Sequence, residues 1–418
     1  MVDFSGILER AKIASKELLL LSEKKVNEVL IRSAIYLARD RELIKAENQK
    51  DIENAIKKGL TPAFIDRLTL NDKVIASIAQ GIVEVSKLKS PYDKIVYKYK
   101  NRKQGIKVIK KTVPFGVVGM IFESRPNVGA DAFALCFKSR NAVVLRGGSD
   151  AINSNRQIIK TLRLALTDSG VNPDAVSFID DGTRESANQF IARSELDLLI
   201  PRGGAKLIDA VVKGATVPVI QTGKGNCHLF IDDSANIDMA IKVLVNAKTQ
   251  RTSVCNACES LVLHSGLKKE DIIKIADALI NRSVELRCDK PSYEILNGKK
   301  GVILATEEDY YTEYNDLIIS VNMVDNVDQA ISHVNKHSSG HSEAIITENK
   351  KNAQKFKTLV DSACVYHNAS TRFSDGFVFG LGAEIGISTQ KLHARGPMGL
   401  DGLTTTKYFI KAKGAVRK

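Results

Sequence analysis

The sequence has no run of five or six lysines and arginines, although its formal net charge is +13. A nucleic-acid-binding surface usually concentrates its basic residues in one patch, whereas scattered positive charge gives solubility and attracts small anions. Nucleic-acid binding is therefore a weak interpretation. The same charge suits substrates and cofactors that carry phosphate and carboxylate groups.

Long apolar runs are also missing. The start, MVDFSGILER, carries an acid at Asp3, and the apolar stretch ELLLLSEKKV is too short for a signal-peptide core or a bilayer span. Six cysteines at irregular spacings in 418 residues favour free thiols in a reducing cytoplasm over a disulfide framework. We therefore predict a cytoplasmic protein of two or three globular domains, without a membrane segment.

The common nucleotide-binding motifs are absent as well. No strict G-x-G-x-x-G follows a predicted strand, and there is no P-loop ending in G-K-[ST]. Nucleotide hydrolysis of the P-loop type is unsupported, and a dinucleotide would need a loop chemistry different from the usual Rossmann turn.

The sequence does contain the pattern of an α/β protein. Residues 1 to about 90 have apolar residues at helical spacing, and YDKIVYKYKNRKQGIKVIKKTV predicts a polar two-stranded ribbon. From Pro114 onward, GVVGMIF, NAVVLRG, AVSFID, LDLLIP and VPVIQTG predict one parallel sheet with helices between the strands. CHLFIDD, ESLVLH, GVILAT, DLIISVNMV and EAIITE predict a second, and TTTKYFIKA predicts a final strand.

Polar and glycine-rich clusters follow the strands of the first predicted sheet: ESRPN, RGGS, DDGT, PRGGAK and TGKGN. Ligands of open parallel sheets bind at the carboxyl ends of the strands. One such cluster is an ordinary turn, but five in register predict a large polar ligand, and a dinucleotide has the right size.

Within RGGS, Arg146 is able to pair with a phosphate, and Gly147, Gly148 and Ser149 allow the backbone to approach a ligand. The acid that usually holds an adenosine ribose does not follow this strand, which favours NADPH over NADH. The alternative is a surface turn with an incidental arginine.

The stretch RTSVCNACES places Cys255 and Cys258 in a CxxC pattern. A zinc site would need a second ligand pair, and thioredoxin-like redox chemistry would need the pattern at the start of a helix in a small domain. A single nucleophilic cysteine remains, because a thiolate forms a thioester that accepts hydride. Two inert, packed thiols are an equally weighted alternative from this stretch alone, and no metal site is predicted.

ESRPN supplies two further candidates. Arg125 suits an anionic substrate group, and Asn127 suits a developing oxyanion. The alternative is a strand-ending turn fixed by proline.

Together, PFGVVGMIFESRPNV, NAVVLRGGSDA, GNCHLFID, NAKTQR with VCNA, FGLGAEIGIS and LHARGPMGLDGLTT resemble the aldehyde dehydrogenase superfamily over nearly the whole chain. The resemblance implies an α/β, aldehyde-dehydrogenase-like fold: two parallel-sheet α/β domains plus a β-ribbon oligomerisation element. We expect an NADPH-binding domain over 1–230, with an N-terminal helical segment, and a catalytic domain over 231–375. The ribbon and C-terminal return would occupy 93–112 and 391–418.

The resemblance also implies roles for residues. Cys255 is the expected nucleophile, and Glu313 in TEYNDLIISV is expected to grip the nicotinamide ribose. Gly203 joins the cofactor-binding set, Arg125 and Arg202 would hold substrate carboxylate or phosphate, and His341 is a weaker substrate-pocket candidate for which a structural role is equally plausible. The resemblance gives Cys258 no role.

One absence decides the predicted reaction. Where hydrolytic members of the superfamily have a general-base glutamate, this chain has VIQTGKGN, with Gln221 and Thr222. Neither side chain deprotonates water well, so phosphate rather than water would exchange with the thioester. The resemblance thus implies NADPH-dependent reduction of L-glutamate 5-phosphate to L-glutamate 5-semialdehyde, the second step of proline biosynthesis from glutamate.

Asn127 and the backbone N–H of Cys255 would donate to the oxyanion in that reaction. A homo-oligomer, dimer or tetramer, is expected, and a transient contact with glutamate 5-kinase stays open. The rivals are a hydrolytic or CoA-linked aldehyde dehydrogenase of the same fold, a non-catalytic binding protein and a nucleic-acid-binding protein.

Overall fold

The computed structural model describes residues 2–123 and 125–417, without the side chains of Ala63 and Ala205. The α-helices are α1 Phe4–Leu18, α2 Glu23–Arg39, α3 Arg41–Lys57, α4 Pro62–Leu68, α5 Asp72–Lys87, α6 Asn127–Lys138, α7 Ile152–Thr167, α8 Arg184–Ile191, α9 Ala205–Gly214, α10 Ile237–Thr249, α11 Lys269–Ile280, α12 Lys290–Leu296, α13 Val327–His337 and α14 Lys350–Leu359. The strands are β1 Ile95–Asn101, β2 Ile106–Pro114, β3 Val117–Phe122, β4 Ala142–Gly147, β5 Val176–Phe178, β6 Leu198–Arg202, β7 Cys227–Ile231, β8 Cys258–His264, β9 Glu285–Cys288, β10 Val302–Leu304, β11 Ile318–Val324, β12 Ser342–Ile346, β13 Cys364–His367, β14 Ile387–Ser388, β15 Gly396–Pro397 and β16 Thr404–Lys411.

The chain forms two compact units. The first unit comprises Met1–Thr222, Gly380–Gly386 and Met398–Lys418, and the second comprises Gly223–Phe379 and Ile387–Pro397. The boundary expected from the sequence lies after residue 230. The structure puts it before β7, because β7 pairs with β8 and β12 rather than with a strand of the first unit.

Helices α1 to α5 begin the first unit, as the apolar spacing predicts. Side chains cap the N-termini of α2 and α5: Ser22 accepts from the N–H of Lys25, and Asn71 accepts from the N–H of Val74. The apolar faces are buried, as at Val29. Within the described residues, no helix is both long and apolar enough to cross a bilayer.

The sheet of the first unit has four parallel strands in the order β5-β4-β3-β6. Strands β3 and β4 are buried along their whole length, as expected for a parallel sheet covered on both faces. The fifth strand expected at VPVIQTG does not form, because Val219 makes only an isolated bridge with Leu199. Pro218 has no N–H to donate, so the ladder cannot extend through it.

The sheet of the second unit has seven parallel strands in the order β10-β9-β11-β8-β7-β12-β13. All five strands expected here form, which confirms the two parallel-sheet architecture. The sequence analysis missed β9 and β13, because ELRC and CVYH are four residues long and mix charged, polar and apolar side chains.

The ribbon is an antiparallel sheet in the order β1-β2-β16. Its register runs from Thr404 opposite Pro114 to Lys411 opposite Lys107, so the predicted final strand completes the predicted ribbon. Strand β1 is exposed over almost its whole length, as its alternating charged residues suggest.

Candidate active site

Cys255 lies in a tight turn just before β8 in the second unit. The turn is closed by a hydrogen bond of 3.0 Å from the N–H of Ala257 to the carbonyl oxygen of Val254. Cys255 is partly exposed, whereas the other five cysteines are buried, and none of the six, all within the described residues, is in a disulfide. The turn therefore presents one thiol at the surface of this unit.

The backbone beside Gly225 fixes the position of this turn. A β-carbon at Gly225 would collide with the carbonyl group of Cys255, so only glycine allows the two backbones to approach so closely. The thiol of Cys227 donates to the same Cys255 carbonyl oxygen at 3.2 Å. The TGKGN segment thus packs directly on the turn that contains Cys255.

Glu313 is brought to the same segment. Its Oε1 accepts a hydrogen bond of 2.8 Å from the N–H of Gly225. The loop that carries Glu313 is anchored to the core of the second unit. The N–H of Asn315 donates to the buried Glu259, which forms an ion pair with the buried Lys248. Burial raises the pKa of the Glu259 carboxyl, and the charge of Lys248 opposes that rise. The sequence motifs did not predict this ion pair.

The two cysteines of the CxxC differ in their surroundings. Cys258 is the first residue of β8 and fully buried, and its Sγ lies 3.4 Å from the carbonyl oxygen of Ser260. Burial raises the pKa of the Cys258 thiol to about 12, so it stays protonated at neutral pH. The pattern is therefore one accessible thiol and one packed thiol.

Arg372 reaches the turn that contains Cys255 from another loop. Its Nε donates to Gln250 Oε1 at 2.9 Å, and its Nη1 donates to Asn256 Oδ1. Asn256 in turn donates to the carbonyl oxygen of Ser374 at 2.9 Å, and its own carbonyl oxygen accepts from Thr371. The sequence analysis missed Arg372, since nothing in NASTRFSDG predicts a contact with a segment more than a hundred residues earlier.

His341 is fully buried at the start of β12. Its Nδ1 lies 2.8 Å from Ser342 Oγ and 3.7 Å from Cys227 Sγ. Burial lowers the pKa of His341 to about 4, so the ring is neutral at pH 7. Its surroundings favour the structural alternative over a substrate-pocket role.

In the first unit, the carboxyl ends of three strands lie side by side. Phe122, the last residue of β3, pairs with Gly147 on one side and Arg202 on the other. Glu123, the next residue, accepts a hydrogen bond of 2.8 Å from the N–H of Gly204. A β-carbon at Gly203 would collide with the Glu123 carboxylate. The edge predicted to hold a ligand is thus formed by RGGS, PRGGAK and the start of ESRPN.

The RGGS turn leaves buried donors unpaired. Arg146 is nearly buried, and its Nη2 donates to the carbonyl oxygen of Thr183 at 2.5 Å, while its Nε has no partner among the described residues. The buried amide of Asn155, which faces Gly147, also lacks a partner in the described part of the chain. At Gly182, a β-carbon would meet Ser149 at 2.7 Å. Unpaired donors beside a glycine turn fit an anionic cofactor group.

Asn127 is the first residue of α6, and its side chain is already oriented by a neighbour. Its Nδ2 donates to Asp131 Oδ2 at 3.0 Å. Burial raises the pKa of Asp131 to about 6, opposed by the Asn127 hydrogen bond and by the charge of Arg202. Arg202 Nη1 lies close to Gly386. Arg125 is exposed at the turn before α6. Asp131 was not predicted, although an acid four residues after Asn127 was available as a signal.

Comparison with known proteins identifies the family of this chain. The model of the aldehyde dehydrogenase family matches residues 3–294 and 317–407, and the chain belongs to this family. The resemblance inferred from the sequence motifs is confirmed.

The curated relatives narrow the comparison. The gamma-glutamyl phosphate reductase of Ligilactobacillus salivarius is 51% identical over 418 residues, covering 100% of both chains. The gamma-glutamyl phosphate reductase of Clostridium botulinum is 50% identical over 410 residues, covering 98% of both. The crystal structure of gamma-glutamyl phosphate reductase from Thermotoga maritima has a TM-score of 0.97 and 42% identity, covering 100% of both chains.

Proposed function

We propose that this protein reduces L-glutamate 5-phosphate to L-glutamate 5-semialdehyde with NADPH, releasing phosphate through a thioester on Cys255. The observation that carries the proposal is the full-length similarity to gamma-glutamyl phosphate reductases, at 51% identity to one of them. The partly exposed Cys255, alone among six cysteines in that respect, supports it. The product semialdehyde would serve proline biosynthesis, and the reduced thiols suit the cytoplasm.

Cys255 performs the covalent step. Its thiolate attacks the acyl carbon, the carbon–sulfur bond forms, and the carbon–oxygen bond to phosphate breaks. The N–H of Cys255 and the side-chain amide of Asn127 are the proposed donors to the carbonyl oxygen, and Asp131 fixes the orientation of that amide. The proton released by the thiol leaves on the phosphate, so atoms and charges balance.

The nicotinamide cofactor, when bound, supplies a hydride to the acyl carbon. Arg146, Gly147, Gly148, Ser149 and Gly203 are proposed to hold its phosphate groups, since the unpaired donors at this turn suit an anion. Glu313 is proposed to accept a hydrogen bond from its ribose.

Arg125 and Arg202 remain proposed ligands for the charged groups of glutamate. The chain has no acid in VIQTGKGN to activate water, which favours phosphate as the group that exchanges with the thioester.

We also propose that the protein is a homo-oligomer that associates through the β1-β2-β16 sheet. Tyr97, Tyr99, Tyr408 and Ile410 expose about half or more of their surface on this sheet. A transient contact with glutamate 5-kinase stays a prediction from the sequence.

The reverse reaction tests the proposed activity. NADPH absorbance is followed with purified protein, NADP+ and glutamate semialdehyde, with and without inorganic phosphate, for the wild type and Cys255→Ser. Turnover that requires both phosphate and Cys255 supports the proposal. Turnover without phosphate would instead indicate a hydrolytic enzyme, and turnover that needs coenzyme A would indicate a CoA-linked one.

A further inference from the structure

Residues 254–257, the turn that contains Cys255, are called the nucleophile turn below. Hydrogen bonds join the loop at residues 371–374 to the chain on both sides of Cys255. Arg372 bonds to Gln250 before the cysteine and to Asn256 after it. Three bonds within the second unit, from Arg372 Nε, from Asn256 Nδ2 and from Thr371 Oγ1, have lengths of 2.7 to 2.9 Å. The guanidinium is therefore held over the turn rather than extended into solvent.

A second cation lies in the segment that carries Cys255. Arg251 is exposed and lies four residues before Cys255 in the same segment. Burial lowers the pKa of the Arg372 guanidinium; the negative charge of Cys255 opposes that shift and the positive charge of Arg251 adds to it. Arg372 thus lies within electrostatic reach of both Cys255 and Arg251.

A carboxylate near these cations, Asp375, also accepts hydrogen bonds from the backbone. The charge of Asp375 also acts on Arg372. Its Oδ1 accepts from the backbone N–H groups of Phe377 at 2.9 Å and Val378 at 3.2 Å. Two guanidinium groups that repel each other beside a nucleophile favour a ligand with more than one negative charge, and guanidinium forks match phosphate oxygens.

We propose that Arg251 and Arg372 form the phosphoryl-binding part of the active site, holding the phosphate of an acyl phosphate beside Cys255. This inference rests on the proposed function and assigns residues that the sequence motifs did not.

The two cations would act on the leaving group. As the carbon–sulfur bond forms and the carbon–oxygen bond breaks, two electrons move onto the departing phosphate oxygen. The proton from the Cys255 thiol completes hydrogen phosphate, so a neutral thiol and an acyl phosphate dianion give a thioester and hydrogen phosphate dianion. No further reactant is needed. In reverse, the same pair would hold inorganic phosphate for attack on the thioester.

Charge-selective alkylation tests the cation pair without turnover. Iodoacetate and iodoacetamide modify the same thiol but differ in charge, and of the six cysteines, all of them described by the structure, Cys255 alone is not buried. The rate with iodoacetate divided by the rate with iodoacetamide measures the positive electrostatic potential at the Cys255 sulfur. We expect the ratio to fall at least about fivefold in Arg251→Gln and in Arg372→Gln, the size expected for losing one nearby charge in a partly solvated site.

Two comparisons isolate the effect. Lys351→Gln, which removes one exposed charge from helix α14 of the same unit, should leave the ratio unchanged. Arg372→Lys keeps the charge and should retain most of the ratio. If Arg251→Gln and Arg372→Gln keep the wild-type ratio while thermal unfolding shows them folded, the inference is wrong.

The reverse reaction then identifies the ligand. We expect Arg251→Gln and Arg372→Gln to raise KM for inorganic phosphate at least about tenfold, with a much smaller change in KM for the semialdehyde, which has no phosphate. A lower kcat with an unchanged KM for phosphate would mean that Arg372 only braces the turn. Phosphate-dependent wild-type turnover with unaltered variants would overturn this inference alone. A wild type without phosphate dependence would overturn the proposed function as well.

Discussion

Asp131 accepts a hydrogen bond from Asn127 one helical turn earlier, with 3.0 Å between Asn127 Nδ2 and Asp131 Oδ2. Residues four apart on a helix face the same side, so this contact follows from the start of α6 at Asn127. It determines which way the amide hydrogens point, and it makes Asp131 a positioning residue for the proposed oxyanion donor.

Asp131→Ala should therefore lower kcat about tenfold or more, as expected when an oxyanion donor loses its orientation. Asp131→Asn should recover most of the loss, because its amide oxygen still accepts from Asn127. Steady-state kinetics at saturating NADPH measures both variants. Equal kcat values for the wild type and Asp131→Ala would show that Asp131 does not position Asn127 for the reaction.

The raised pKa of the Asp131 carboxyl predicts that the stability of the fold depends on pH. Burial raises the pKa of this carboxyl from 3.8 to about 6, so the folded state prefers the protonated form. The corresponding stabilisation is complete below pH 4 and is lost as the pH rises through about 6, by at most about 3 kcal/mol. Relative to Asp131→Asn, which stays neutral, the free energy of unfolding of the wild type should fall over this window. Urea unfolding at pH 4 and pH 7 measures the difference, and a constant difference would contradict the raised pKa.

Gly225→Ala should lower the activity about a hundredfold. The added β-carbon would displace the Cys255 carbonyl, and a shift of about 1 Å in a reacting group costs about a hundredfold in rate. Gly214→Ala is the matched control, since its β-carbon would meet only the Ile191 side chain, at 3.2 Å, and alanine suits the end of helix α9. The measurement is kcat/KM of both variants. A similar loss of kcat/KM in both would mean that the effect is not specific to the backbone contact at Cys255.

Cys258→Ala should keep wild-type kcat and lower the melting temperature by a few degrees. Its thiol is buried and protonated, so the change removes packing rather than chemistry, at about 1 kcal/mol. Activity assays and thermal unfolding check the two halves of this prediction. A kcat as low as that of Cys255→Ser would give Cys258 a role in the reaction.

The sequence predicted the parts of this protein that depend on short-range patterns. Runs such as GVVGMIF and NAVVLRG predicted β3 and β4, whereas the stretch around Cys255 by itself left one nucleophile and two inert thiols as alternatives. VPVIQTG was misassigned because β-branched residues outweighed Pro218, whose missing N–H decides the pairing. Arg372, Glu259 and the Gly225 contact could not be predicted, since each depends on segments that meet only in the folded second unit.

The pairing of β2 with β16 has a consequence for synthesis of the chain. β2 ends at Pro114 and β16 begins at Thr404, so some 290 residues are made before β2 meets its second neighbour. At ribosomal speeds this takes roughly 15 to 60 s, a period in which the hairpin has one open edge. Lys107, Lys110 and Lys111 lie along that edge, and such charges discourage pairing with a foreign strand. The lysines of β2 are therefore residues of the kind that disfavours aggregation at this edge until β16 pairs with it.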